Sequence, residues 1–196
     1  LFKKIGRMSQ LELLKKTLSV LDADNIEYML VGSFVSSLYG VLRSTQAIDM
    51  IVAINRNHIT NLVKHFPPPK YYLDEEQIQL AIENEKMFNL LDTEEGDKID
   101  FYIQKKESYE IEKFQRRIMK SFLGMQVYFL SPEDLIISKL IWSKKSGYSE
   151  KQFHDVKGVV RVQRGNLDYP YLEMKVKEVQ LEELWERLKK EENFAV

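Results

Sequence analysis

The alternation of apolar and polar positions is clearest over 47–54, AIDMIVAI, where Ile48, Met50, Val52 and Ile54 fall on one face of an extended chain and Ala47, Asp49, Ile51 and Ala53 on the other. The pattern predicts a half-buried strand with a carboxylate on the side away from its apolar row. A second run of this kind spans Lys98 to Gln104. Ile99, Phe101 and Ile103 share its core face, leaving Lys98, Asp100 and Tyr102 opposite and placing a second carboxylate on an exposed strand face. This strand is expected to pair antiparallel with Met87 to Leu91 across the turn 93–97. The short apolar run Glu27 to Val31 suits a buried strand that runs into Gly32-Ser33, and Ile118 to Phe122 with Gln126 to Leu130 predict a hairpin around Gly124.

Elsewhere the spacing is helical. Leu11, Leu13, Leu14, Leu18 and Leu21 predict an amphipathic helix with Ser9 as its N-cap, ending near Asp24-Asn25. Phe34, Val35, Leu38 and Tyr39 supply the buried face of a helix that Gly40 ends. A polar connector, 41–46, follows. Arg56 to Phe66 reads as a helix stopped by Pro67-Pro68-Pro69, Asp74 to Asn84 as a short one, and Tyr109 to Arg117 as another. Ser131-Pro132-Glu133-Asp134 combines an N-cap serine, a proline at the first helical position and acids in the first turn. From there the chain reads as helical throughout: 135–145, 150–163, 169–177, and a last helix with Leu181, Leu184, Trp185 and Leu188 as its buried stripe. The expected fold class is α/β, a mixed β-sheet flanked by helices over 8–130, followed by a helical C-terminal region over 131–196.

Composition narrows the chemistry. With 196 residues, 44% of them hydrophobic, the chain can build a sizeable core, and a formal net charge of -1 gives no overall polyanion-binding signature, so any nucleic-acid contact must be local. The absence of cysteine excludes disulfides, thiolate metal sites and a cysteine nucleophile. His58, His65 and His154 lie far apart without metal-ligand spacing. No long apolar run or signal region occurs, so a cytoplasmic location and no membrane partner are expected. The first residues, LFKKIG, resemble the peptide of a split-luciferase tag, so Leu1 to Arg7 are set aside from the fold; a native amphipathic start is the other reading.

A strand ending in Gly-Ser before a helix offers backbone N–H groups, a hydroxyl and a helix N-terminus to a triphosphate. Carboxylates on neighbouring strands can hold the metal ions that phosphoryl and nucleotidyl transfer require. The run LVGSFVSSLYGVLRSTQAIDMIV resembles the signature of the nucleotidyltransferase superfamily, a Gly-Ser or Gly-Gly turn followed by Arg-x-Thr-x-Asp-x-Asp. KIDFYI resembles its third-carboxylate strand. SPEDLIISKLIWSKKSGYSEKQFHDV is similar to the C-terminal part of the abortive-infection (AbiEii-type) toxin nucleotidyltransferases, and the likeness covers roughly residues 10 to 190.

The resemblance implies a catalytic and metal-binding pair in Asp49 and Asp100, the latter helping to deprotonate the acceptor hydroxyl. It implies nucleotide contacts from Gly32 and Ser33 on the β and γ phosphates, from the loop residues Arg43 and Thr45, and from Lys139. Asp155 falls where the family has an acid whose role here is open. The departure is Ala47, which stands where the family has its first aspartate and which can hold no metal. Either an aspartate was replaced there or the protein is a natural pseudoenzyme.

The implied cofactor is Mg2+ or Mn2+, the implied substrate an NTP. The implied reaction transfers an NMP to a hydroxyl, RNA such as tRNA being favoured, with an antitoxin as a further partner and activity weakened or absent with Ala47. The alternatives are an inactive NTP- or partner-binding module and a small-molecule, antibiotic-modifying enzyme. Seven Lys or Arg between Lys139 and Arg164 form either an RNA surface or a solvated helical face. Tyr71-Tyr72 offer either base stacking or core packing, and His154 is read as a satisfied structural histidine.

Overall fold

The structure, a computed structural model, describes residues 8–42 and 44–194; the tag-like segment 1–7 and Arg43 lie outside the described residues. Two compact units divide the chain. The first takes 8–34 and 44–130, the second 35–42 and 131–194, so residues 35–42 group with the C-terminal helices rather than with the sheet.

The first unit holds a seven-stranded mixed sheet. Its strands are β1 (Tyr28–Val31), β2 (Ala47–Val52), β3 (Tyr71–Tyr72), β4 (Met87–Asp92), β5 (Lys98–Ile103), β6 (Ile118–Phe122) and β7 (Met125–Phe129). They lie in the order β3-β4-β5-β2-β1-β7-β6. β2 runs parallel to β5 and β1 parallel to β7, whereas the other neighbours are antiparallel. Helices α1 (Met8–Ala23), α3 (Arg56–His65), α4 (Glu75–Asn84) and α5 (Ser108–Gln115) belong to the same unit, and α2 (Gly32–Tyr39) starts in it.

The period-two pattern read from β2 and β5 is what builds this core. Ile48, Met50, Val52, Ile99 and Phe101 are fully buried, and Phe101 stacks on Phe88 of β4 at 4.8 Å. Leu14, Leu18 and Leu21 of α1 are fully buried as well, at the i, i+4, i+7 spacing of one helix face. In α4 the buried residues are Ile78 and Ala81, while Leu80 is exposed, because only the 3.6-residue period reaches the core. The strand β3 has no counterpart in the sequence pattern: two residues are too few to show alternation, and the pairing with Leu91 and Asp92 makes it. Tyr71 packs edge-on against Phe66, and Lys16 lies 4.2 Å over its ring, so it packs locally, whereas Tyr72 is exposed.

The second unit contains α6 (Pro132–Lys145), α7 (Glu150–Gln163), a 3-10 turn at Arg164–Asn166, α8 (Tyr169–Glu178) and α9 (Glu182–Glu192), giving nine α-helices among the described residues. Ser131 caps α6 by accepting from the Asp134 N–H. The acids of that first turn do more than favour a helix start. Both are buried: Glu133 accepts from the Asp168 N–H at 3.0 Å and Asp134 from the Tyr171 hydroxyl at 2.7 Å, which fastens α6 to the start of α8. The C-terminal end of α2 belongs here too. A side chain at Gly40 would lie 2.8 Å from the Val159 backbone nitrogen, so glycine allows the chain to meet the α7 backbone directly.

Candidate active site

The polar face of the sheet is set by register. In the parallel pair β2 and β5, Asp49 stands beside Asp100 and Ala47 beside Lys98, and on the far side of β5, Asn89 stands beside Asp100. Side chains in register on neighbouring strands share a face, so Asp49, Asp100 and Asn89 form one row across three strands. Asp49 is half-buried. Asp100 is 7% exposed, which corrects the expectation of a carboxylate on an exposed face, whereas Asn89 is half-buried like Asp49.

The Gly32-Ser33 turn meets the same row. Val31, the last residue of β1, pairs with Asp49, and Gly32 follows it at φ +71 as the first residue of α2. A Cβ on Gly32 would lie 2.1 Å from Asp49 Oδ2. Glycine is therefore required twice, for its backbone conformation and for the closeness of the carboxylate. Gly32→Ala is expected to cost about 1–3 kcal/mol from the positive φ alone, and to displace the Asp49 carboxylate. Urea unfolding checks the first effect. Ser33 is half-buried in the first turn of α2, and Thr45 is half-buried in the loop before β2.

The ion pair of the site joins Lys98 Nζ to Asp100 Oδ1 at 3.1 Å. Tyr102, two residues further along the same face, has its phenol pushed above the ordinary value, first by burial and then by the charges of Asp49 and Asp100. It keeps its proton at neutral pH. Sequence reasoning put Lys98 and Tyr102 on this face without a role and passed over Asn89. Alternation shows which face a residue takes, but which strand becomes its neighbour is decided by topology.

For a metal ion, the donor set is short. Among the described residues no group of three or more His, Cys, Asp or Glu side chains could hold one. Two in-register carboxylates nevertheless fit a single Mg2+, which is usually held by one or two carboxylates with substrate phosphates and water completing the shell.

Lys139 is buried within the second unit. Its ammonium donates to Asp155 Oδ2 at 2.7 Å and to Gln152 Oε1 at 2.8 Å, giving Asp155 a definite partner. His154, read as a satisfied structural histidine, is exposed, and its neighbour Asp155 turns inward to Lys139. The basic segment is also partly neutralised: Lys157 pairs with Glu191 at 2.7 Å, and Arg161 donates to both carboxylate oxygens of Glu192. No helix among the described residues is long and apolar enough to cross a membrane.

A mixed sheet of this order, with helices around it, defines a nucleotidyltransferase-like fold. The chain is similar to the solved structure of ANT(2")-Ia in complex with adenylyl-2"-tobramycin, with a TM-score of 0.53 and 14% identity over 94% of this chain and 99% of that one. It is also similar to an antigenic nucleotidyltransferase-like protein from Paracoccidioides brasiliensis, with a TM-score of 0.50 and 18% identity over 78% and 75% of the two chains. Residues 9–187 match the family described as nucleotidyltransferase of unknown function (DUF6036), and the chain belongs to that family. No curated protein matches it.

Proposed function

We propose that this protein binds an NTP at the Gly32-Ser33 turn and, in its competent form, transfers the nucleoside monophosphate to a hydroxyl acceptor. One observation carries the reading: Asp49 and Asp100 stand in register on neighbouring strands, with Gly32 close enough to Asp49 to leave no room for a methyl group. In this reading the start of α2 presents N–H groups and the Ser33 hydroxyl to the phosphates. Asp49 and Asp100 hold Mg2+ or Mn2+, which when bound neutralises charge on the phosphate oxygens. Asp100 accepts the proton of the acceptor hydroxyl. The hydroxyl oxygen forms the new bond to the α-phosphorus, the bond from that phosphorus to the bridging oxygen of the β-phosphate breaks, and pyrophosphate leaves.

The favoured acceptor is an RNA hydroxyl, tRNA included, with toxin-like action and an antitoxin as protein partner. The likeness of Ser131 to Val156 to toxin nucleotidyltransferases supports it, as do the exposed Lys144, Lys145 and Lys151. The ion pairs of Lys157 and Arg161 reduce the positive charge left for a polyanion. A second reading, an NTP-binding module without turnover, is favoured by Ala47. Calorimetry with each common NTP and Mg2+ tests binding. The native chain is expected to bind at least one NTP, and Asp49→Asn to weaken that binding roughly tenfold or more through loss of a charge-assisted contact. No binding to any NTP overturns the proposal.

A further inference from the structure

Lys98 has uncharged in-register neighbours on both sides, Ala47 on β2 and Leu91 on β4. Its ammonium instead turns along its own strand to Asp100, at 3.1 Å, while the side chain stays 40% exposed. β1 is antiparallel to β2 and ends beside Asp49, so the Gly32-Ser33 turn leaves the sheet at the end where Ala47 and Lys98 begin their strands. The ammonium therefore stands on the carboxylate face, at the end where the phosphate turn emerges, and next to the position that carries no acid.

We propose that Lys98 is a phosphate-binding residue of this site, an in-built cation that serves where a second metal ion would otherwise neutralise the triphosphate. The inference rests on the nucleotide-binding reading above and adds to it a residue and a charge balance. Asp49, Asp100 and Lys98 together leave one net negative charge. A single divalent ion then makes the site net positive, which suits a polyphosphate. An aspartate at 47 would stand directly beside Lys98 and draw its ammonium away from Asp100 and from the phosphates. The alanine leaves that ammonium free to exchange Asp100 for an incoming phosphate oxygen. The lysine end of the pair is open to solvent, at 40% exposure, so the ammonium can swing to an incoming oxygen, while Asp100 is the buried end, at 10%.

The test separates the lysine from the metal. Binding of inorganic triphosphate is measured by calorimetry in EDTA, where no metal contributes and no base preference enters. Lys98→Met and Lys98→Gln are each expected to weaken it roughly tenfold or more, the scale of one charge-assisted hydrogen bond, and Lys98→Arg to keep most of it. Mn2+ binding to the nucleotide-free protein, followed by electron paramagnetic resonance, is expected to tighten roughly two- to fivefold in the Met and Gln variants, because Asp100 loses a competing cation. With 40% of its side chain exposed, Lys98 tolerates these replacements without loss of core packing, and a cooperative thermal transition verifies that each variant folds. Unchanged triphosphate binding in both variants, alongside intact NTP binding by the native chain, overturns the role of Lys98 and leaves the nucleotide-binding reading in place. A native chain that binds neither triphosphate nor any NTP overturns both.

Discussion

Ala47→Asp is expected to raise metal-dependent transfer of labelled nucleotide by on the order of a hundredfold, the scale on which single electrostatic stabilisers of a transition state act. Position 47 is suited to the change. It is the first residue of β2, half-buried, two residues before Asp49 on the same face, and in register with Lys98. A carboxylate there completes a set of three acids and gains a cation beside it. The measurement is incorporation of each labelled NTP into whole-cell RNA, with an aminoglycoside panel as the competing acceptor. EDTA should abolish the signal. Label in RNA supports the toxin-like reading, label in aminoglycoside the small-molecule one. Nucleotide binding with no transfer by either form supports a module without turnover, and it also counts against a replaced aspartate as the origin of the alanine.

The second large effect is on stability. Lys139 and Asp155 form an ion pair with both side chains 6% exposed. Removing one partner leaves the other charge buried, which costs about 3–5 kcal/mol. Lys139→Met and Asp155→Leu, each alone, should therefore lower the urea midpoint of unfolding strongly, and the double variant should recover most of the loss, because two apolar side chains of similar volume carry no charge to desolvate. The same variants decide whether Lys139 also serves the nucleotide. If the pair only holds α6 to α7, the double variant in the Ala47→Asp background keeps its transfer activity. If Lys139 contacts the phosphates, that background loses activity while its stability is restored.

Much of the candidate site is legible along single elements. The alternation in AIDMIVAI and KIDFYI assigns Asp49 and Asp100 to polar strand faces before any fold is known, since a strand has period two and one side must be apolar. Gly32-Ser33 is legible for a similar reason: an apolar strand that stops at Gly-Ser before a helical pattern predicts a backbone turn. The burial of Asp100 is not legible: the hairpin partner β4 can be read from the sequence, but the parallel neighbour β2 is joined to β5 by a long connection that carries no signal of the pairing. Lys139 and Asp155 look like two members of a basic stretch when read in order. They become a buried pair only once α6 and α7 pack, 16 residues apart in the chain.

By itself the sequence determined the helices and the strands other than β3, which face of β2 and β5 is apolar, and that position 47 lacks an acid in a run that otherwise resembles a nucleotide-phosphate site. These are consequences of local periodicity and of side-chain chemistry, and they need no neighbour. Tertiary structure alone decided that Asp49 meets Asp100, that Gly32 must be glycine because Asp49 lies against it, that Lys98 stands beside Ala47, and that residues 35–42 join the C-terminal helices. Each of these depends on which surfaces come together when apolar area is withdrawn from water, and that choice is made by the whole chain at once.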